Sequence, residues 1–207
     1  MEHQSRHQCL IYEGPPSHKL HLLAVILKRK LEEGYQCLYL NSAPMVAGMR
    51  STLAAMGVNV EKEIAGSRIL LSSETISAGE EFNCEVMLAK LEDTLNEALN
   101  DGYKGLWASG DMSWEFGPTK NFSKLLEYEW RLEALFRRRK EIHGICQYHR
   151  DTLPREVMRQ GLLSHSDIVI NDTLSRINPH YLKSPQHTPI SATTHELDKI
   201  IDVLCQC

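Results

Sequence analysis

Short apolar runs, each stopped by a turn signal and followed by a longer stretch with helical spacing, recur along nearly the whole chain. Strands are expected at residues 9–12, 36–40, 69–72, 106–109, 142–148 and 168–170, and helices over 19–33, 44–56, 83–100, 122–138 and 154–163. Gly34, Gly57 and Gly102 stand just past three of these helices, where a left-handed residue ends the spiral. In the longest intervening stretch Val86, Leu88, Leu91, Leu95 and Leu99 keep a largely helical period. Strands separated by helices cannot pair as hairpins. They build a mainly parallel sheet covered on both faces, a single-domain doubly wound α/β sandwich, for which 207 residues are ample. Residues 172–194 show no clear period, and 193–205 forms a short terminal helix with Leu197, Ile200, Ile201 and Leu204 on one side.

The first strand hands over to the first helix through Leu10-Ile-Tyr-Glu-Gly-Pro-Pro-Ser-His-Lys-Leu20. This has the register of a phosphate-binding P-loop, G-x-x-x-x-G-K-[S/T], in which glycines bring backbone N–H groups around the phosphates and a hydroxyl holds Mg²⁺. Glu13 occupies the first glycine position, His18 the second, and Leu20 replaces the hydroxyl. Only Lys19 remains. The register points to a RecA-like fold with a degenerate Walker A loop, put to another use. Nucleotide binding through Lys19 and the helix N-terminus stays open as an alternative, whereas efficient Mg-nucleotide hydrolysis is not expected.

A net charge of −4 offers no electrostatic footprint for direct nucleic-acid binding. No apolar run reaches the roughly 20 residues needed to span a bilayer, and residues 1–8 lack an apolar signal core, so a cytoplasmic protein without membrane contact is expected. Cysteines 9, 37, 84, 146, 205 and 207 form no repeated C-x-x-C pair and read mostly as reduced core thiols.

Ligands of open parallel sheets bind beyond the carboxyl ends of the strands. Those ends deliver Tyr12, Glu13, His18 and Lys19, then Asn41 and Ser42, then Asp111 with Trp114, then Gln147, Tyr148 and His149. Asp111 is placed either to hold Mg²⁺ through water or to serve as a turn residue. Glu127 and Glu129 flank Tyr128 on a helix that is either a solvated acidic face or the wall of a pocket. Histidines at 18, 21, 143, 149 and 165 leave a His/Cys/Glu site assembled across loops conceivable, but no segment has the tight ligand spacing of a zinc motif, so ordinary hydrogen-bonded histidines and no metal are expected. Cys146 and His149 lack a third orienting group and make a poor nucleophile pair.

Several segments taken in order resemble one family. His7, Cys9, Tyr12 and Glu13, the block Glu32 to Leu40, Gly110-Asp-Met-Ser-Trp114, Glu127-Tyr-Glu129, Cys146-Gln-Tyr-His-Arg150 and Leu162-Leu-Ser-His165 are similar to the MEDS domain, the methanogen/methylotroph sensory domain. The resemblance covers about residues 5–172 and leaves 173–207 as a C-terminal extension. It implies a RecA/KaiC-like fold with a degenerate loop and a sensory role toward small organic molecules, including hydrocarbon derivatives. It also brings in His7, which starts its strand, as a site residue. The sequence departs from the family pattern before Met112, where the common acidic residue is Asp111 here rather than Glu. With no helix-turn-helix or kinase segment in the sequence, a stand-alone sensor is expected to act through a separate signalling or transcription-regulating protein, with homo-oligomerisation open.

The leading expectation is therefore a regulatory protein binding a small organic ligand at the carboxyl edge of the sheet, through His7, Tyr12, Glu13, His18, Lys19, Asp111, Trp114, Glu127, Glu129, Cys146 and Tyr148. Trp114, Glu127, Tyr148 and the loop at 13–19 are expected to converge. No cofactor is expected, nucleotide aside. The alternatives are a KaiC-like nucleotide-binding protein with little hydrolysis and an enzyme using a carboxylate or histidine of the same pocket.

Overall fold

A computed structural model describes residues 6–73, 83–112, 122–182 and 193–206. Its strands are β1 (His7–Tyr12), β2 (Gln36–Leu40), β3 (Ile69–Ser72), β4 (Leu106–Asp111), β5 (Ile142–His149), β6 (Asp167–Val169) and β7 (Ser175–Ile177). The helices are α1 (Leu20–Glu32), preceded by a 3-10 turn at Pro16–Lys19, then α2 (Ala43–Ala55), α3 (Val60–Ala65), α4 (Cys84–Asn100), α5 (Phe122–Arg138), α6 (Arg155–Ser164) and α7 (Thr194–Cys205). The strands form one sheet in the order β3-β2-β4-β5-β1-β6-β7, parallel throughout except for the last pair.

The alternation read from the sequence is thus the observed architecture, with two additions. Helix α3 is six residues long and buries only Val60, so it leaves almost no apolar period to read. Strand β7 is exposed at every position and exists through its antiparallel pairing with β6, not through a pattern of its own.

Helices α1, α2 and α3 cover one face, packing Leu23, Leu27, Met49, Leu53 and Val60 on Leu10, Tyr12, Tyr39 and Trp107. Helices α4 to α7 cover the other, packing Leu95, Leu132, Met158, Leu162 and Ile201 on Cys9, Ile11, Cys146 and Tyr148. Pleating decides which residue goes where, since successive side chains of a strand point to opposite faces. In β1 and β5, which pair His7 with Gly144, Cys9 with Cys146 and Ile11 with Tyr148, those six positions all face α5, α6 and α7. Helix α7 opens with a capping box between Thr193 and Glu196, and Arg155 and Arg159 of α6 hold it through Asp198 and Asp202. Among the described residues no helix is long and apolar enough to cross a membrane.

Candidate functional site

Beneath α5, where β1 and β5 run side by side, polar side chains gather inside an otherwise apolar layer. His7 of β1, Glu129 and Glu133 of α5, Cys146 and Tyr148 of β5, and His165 just after α6 are all buried. Helical spacing puts Glu129 and Glu133 on the inward face of α5 with Leu125, Leu132 and Phe136. Room comes from two glycines. A Cβ at Gly144 would lie 2.5 Å from the Ala108 carbonyl and 3.1 Å from the Phe136 ring, and one at Gly161 would lie 2.5 Å from the Tyr148 ring.

Both histidines are oriented by their Nδ1 atoms. His165 donates Nδ1–H to the Gly161 carbonyl at 2.6 Å, and since a carbonyl can only accept, its Nε2 carries a lone pair. His7 donates Nδ1–H to Glu133 Oε2 at 2.8 Å, and Glu133 also accepts from the Tyr181 hydroxyl. The His7 and His165 rings lie 3.9 Å apart between centroids. Their bare Nε2 atoms look into one space: His7 Nε2 is 3.5 Å from Cys146 Sγ and 4.0 Å from Glu129 Oε2, and His165 Nε2 is 3.5 Å from the same carboxylate oxygen. Among the described residues, neither Glu129 oxygen, nor His165 Nε2, nor the Tyr148 hydroxyl has a partner at good hydrogen-bond geometry.

Burial sets the charge states. Desolvation pushes Glu129 up to about 8, with the neighbouring Glu133 adding to the shift and the nearby Tyr148 hydroxyl opposing it. It drives His7 down to about 3 and His165 well below the ordinary histidine range. The Cys9 thiol, beside Cys146 in the register, is pushed far up by burial and then by Glu129. Both imidazoles are therefore neutral and Glu129 tends to keep its proton, so the centre is a set of uncharged polar groups whose bonding capacity is left partly unmet, a condition that costs free energy unless something enters to satisfy it.

The carboxyl edge carries a second polar group on the opposite face. Gln147 donates to Ser109 Oγ at 2.9 Å, Asn41 donates to the Tyr39 hydroxyl at 3.1 Å, and Tyr12 stacks on His149 with centroids 5.0 Å apart. Asp111 is buried here, and its nearby carboxylate makes the Tyr12 and Tyr39 hydroxyls harder to ionise, adding to the larger effect of burial. The degenerate loop is tied down. Gly14, at a φ of +77°, donates its N–H to Asp151 at 3.0 Å, the Gly14 carbonyl accepts from His149 Nε2 at 2.8 Å, and Glu13 pairs with Arg150 at 3.0 Å.

Of the residues expected to form one site, His7, Glu129, Cys146 and Tyr148 meet in the buried centre, while Tyr12, Glu13 and Asp111 lie at the carboxyl edge. His18 is exposed and Lys19 half-buried at the start of α1. Glu127 points away from both groups and pairs with Arg131 at 2.6 Å on the solvent face of α5, because its helical phase is opposite to that of Glu129. Trp114 lies outside the described residues, and with it the expected convergence on Tyr148. Glu133, His165 and Tyr181 were absent from the expected set. The four-residue step from Glu129 was the available signal for Glu133, whereas Tyr181 sits in a stretch without period.

The family model for the MEthanogen/methylotroph, DcmR Sensory domain matches residues 6–166, from the residue before His7 to the one after His165. No curated protein matches the sequence. A KaiC-like protein from the archaeon Pyrococcus horikoshii is similar in structure at a TM-score of 0.55 and 15% identity, over 79% of this chain and 69% of that one. An uncharacterised protein of the same organism, solved in complex with an unknown peptide, is similar at 0.55 and 16%, over 88% and 85%. At such identities the likeness is one of fold.

Proposed function

Because the chain belongs to the methanogen/methylotroph DcmR sensory domain family, we propose that it is a ligand-responsive regulatory protein whose sensing site is the buried centre under α5, and that it signals through a separate protein partner. One observation carries this reading. The Glu129 carboxyl group and His165 Nε2 are sealed in the core without hydrogen-bond partners among the described residues, gathered with His7 and Cys146 from β1, α5, β5 and the end of α6. A polar centre left unsatisfied is costly as a structural device and ordinary as a receptor for something polar. Occupancy there would pull on β1, β5, α5 and the end of α6 together, which gives a bound effector a mechanical route to the surface. The effector class supported by the family is a small organic molecule with one polar group.

The experiment is a thermal-shift screen of short-chain alcohols, aldehydes, amines and carboxylates on the wild type and on Glu129→Gln, whose folding is checked by circular dichroism. Ligands that bind only the folded state raise the midpoint. Compounds that stabilise the wild type and lose that effect in Glu129→Gln support the reading. Compounds that stabilise both proteins equally would move the sensing site elsewhere.

A further inference from the structure

We propose that the buried centre is a metal site in which His7 Nε2, Glu129, Cys146 Sγ and His165 Nε2 ligate a divalent transition ion of the zinc, cobalt or iron class. The inference rests on reading this centre as the sensing site and names what the site holds.

The ligand atoms of these residues all lie within 4.8 Å of one another. Zinc–ligand bonds of about 2.0–2.3 Å put the corners of a tetrahedron roughly 3.3–3.8 Å apart. The Cys146–His7 and Glu129–His165 separations, both 3.5 Å, already have that length, and the His7–Glu129 separation of 4.0 Å is slightly beyond it. Only small side-chain adjustments close the set around an ion.

The outer contacts have the form that metal sites use. A ligating histidine usually gives its other ring N–H to a carboxylate or a backbone carbonyl, which fixes the tautomer and aims the lone pair. His7 gives Nδ1–H to Glu133 and His165 gives Nδ1–H to Gly161, one of each kind. Two imidazole nitrogens, a carboxyl oxygen and a sulfur aim their lone pairs at one point, an arrangement that a cation between them satisfies all at once. A divalent ion bound by one thiolate and one carboxylate makes a neutral unit, the charge a dry interior tolerates best. Nitrogen and sulfur donors select borderline transition ions over Mg²⁺ or Ca²⁺. Binding releases the thiol proton of Cys146, and the proton that burial keeps on Glu129, to solvent as the sulfur–metal and oxygen–metal bonds form.

Linear spacing conceals such a site, since its ligands come from β1, α5, β5 and the residue after α6. The absence of a compact zinc motif, which led to the expectation of no metal, does not bear on it.

The test uses the full chain, stripped with a chelator and titrated with Co²⁺. The expected result is one ion per chain, with tetrahedral visible absorption and a sulfur-to-cobalt charge-transfer band. Cys146→Ala loses the charge-transfer band, whereas Cys9→Ala, on the adjacent strand position, keeps it. Glu133→Gln, which changes the outer contact of His7 and the bond from Tyr181 but no ligand atom, weakens Co²⁺ affinity by about 10–100-fold. A wild-type chain that takes up neither Co²⁺ nor Zn²⁺ overturns the proposal, as does a band that survives Cys146→Ala and vanishes in Cys9→Ala. The wild-type titration decides the matter even if a variant does not fold. An organic effector that stabilises the metal-free chain in a Glu129-dependent manner, alongside failed metal uptake, would leave the sensory reading standing and remove only the metal.

Discussion

Gly161 serves the centre twice at a single position. Its carbonyl fixes the tautomer of His165, and its missing side chain admits the Tyr148 ring. Gly161→Ala would place a methyl group 2.5 Å from that ring in a packed layer. Overpacking of this kind costs about 1–3 kcal/mol. Chemical denaturation should show a loss of that size, and a change near zero would mean that Tyr148 has room to move. The inward set of the centre was partly legible in the sequence. His7, Glu129, Cys146 and Tyr148 were picked out, and Glu127 was grouped with them because a motif of neighbouring acidic residues does not reveal helical phase. The phase is set by Leu125, Tyr128, Leu132 and Phe136, which turn Glu129 and Glu133 inward and leave Glu127 beside Arg131. His165 was visible as part of the family pattern, but its meeting with His7 depends on β1 lying next to β6, a fact of topology that no local stretch contains.

At the scale of elements, the loop before α1 and the helix α7 make opposite commitments. The loop spends its backbone on Asp151 and His149 and presents Glu13 where a phosphate would need positive charge. Mg-ATP is accordingly expected to give no thermal shift, and a shift abolished by Lys19→Ala would contradict this account of the loop. Helix α7 buries Leu197, Ile201, Leu204 and Cys205 against the layer that holds the centre. Ile201→Ala should cost about 2–5 kcal/mol, read from the denaturation midpoint. Ion pairing with Arg159 holds Asp198 below its ordinary value of 3.8. A depressed carboxylate contributes stability that is present above 3.8 and is lost as pH falls through the lowered value. Asp198→Asn should therefore be less stable than the wild type above 3.8, and the gap should close in stronger acid. A gap that is constant with pH would assign the hold on α7 to apolar burial alone. The capped, amphipathic α7 could be read in advance from Thr193, Glu196 and its leucines and isoleucines. Neither α3 nor β7 could, one being too short to show a period and the other having no buried position.

On the scale of the whole molecule, the sheet divides at β4. Strands β3, β2 and β4 pair among themselves, and each is made early in the chain. Among the described residues strand β1 pairs only with β5 and β6, which both follow β4 in the chain. During synthesis the strand of this sheet that emerges first is thus among the last to find its neighbours. Long-range pairing of this kind slows folding, because the loop must close before any contact rewards it. Chains stalled on the ribosome before β5 has emerged should protect β2 and β4 from protease while leaving 7–12 open to cleavage, and early protection of β1 would refute this order. His7 waits longest of all, since its companions are encoded at 129, 146 and 165. Translation itself therefore keeps the receptor unbuilt until residue 165 has been made, so that a product cut short before it, however well its first strands pair, is born without a sense.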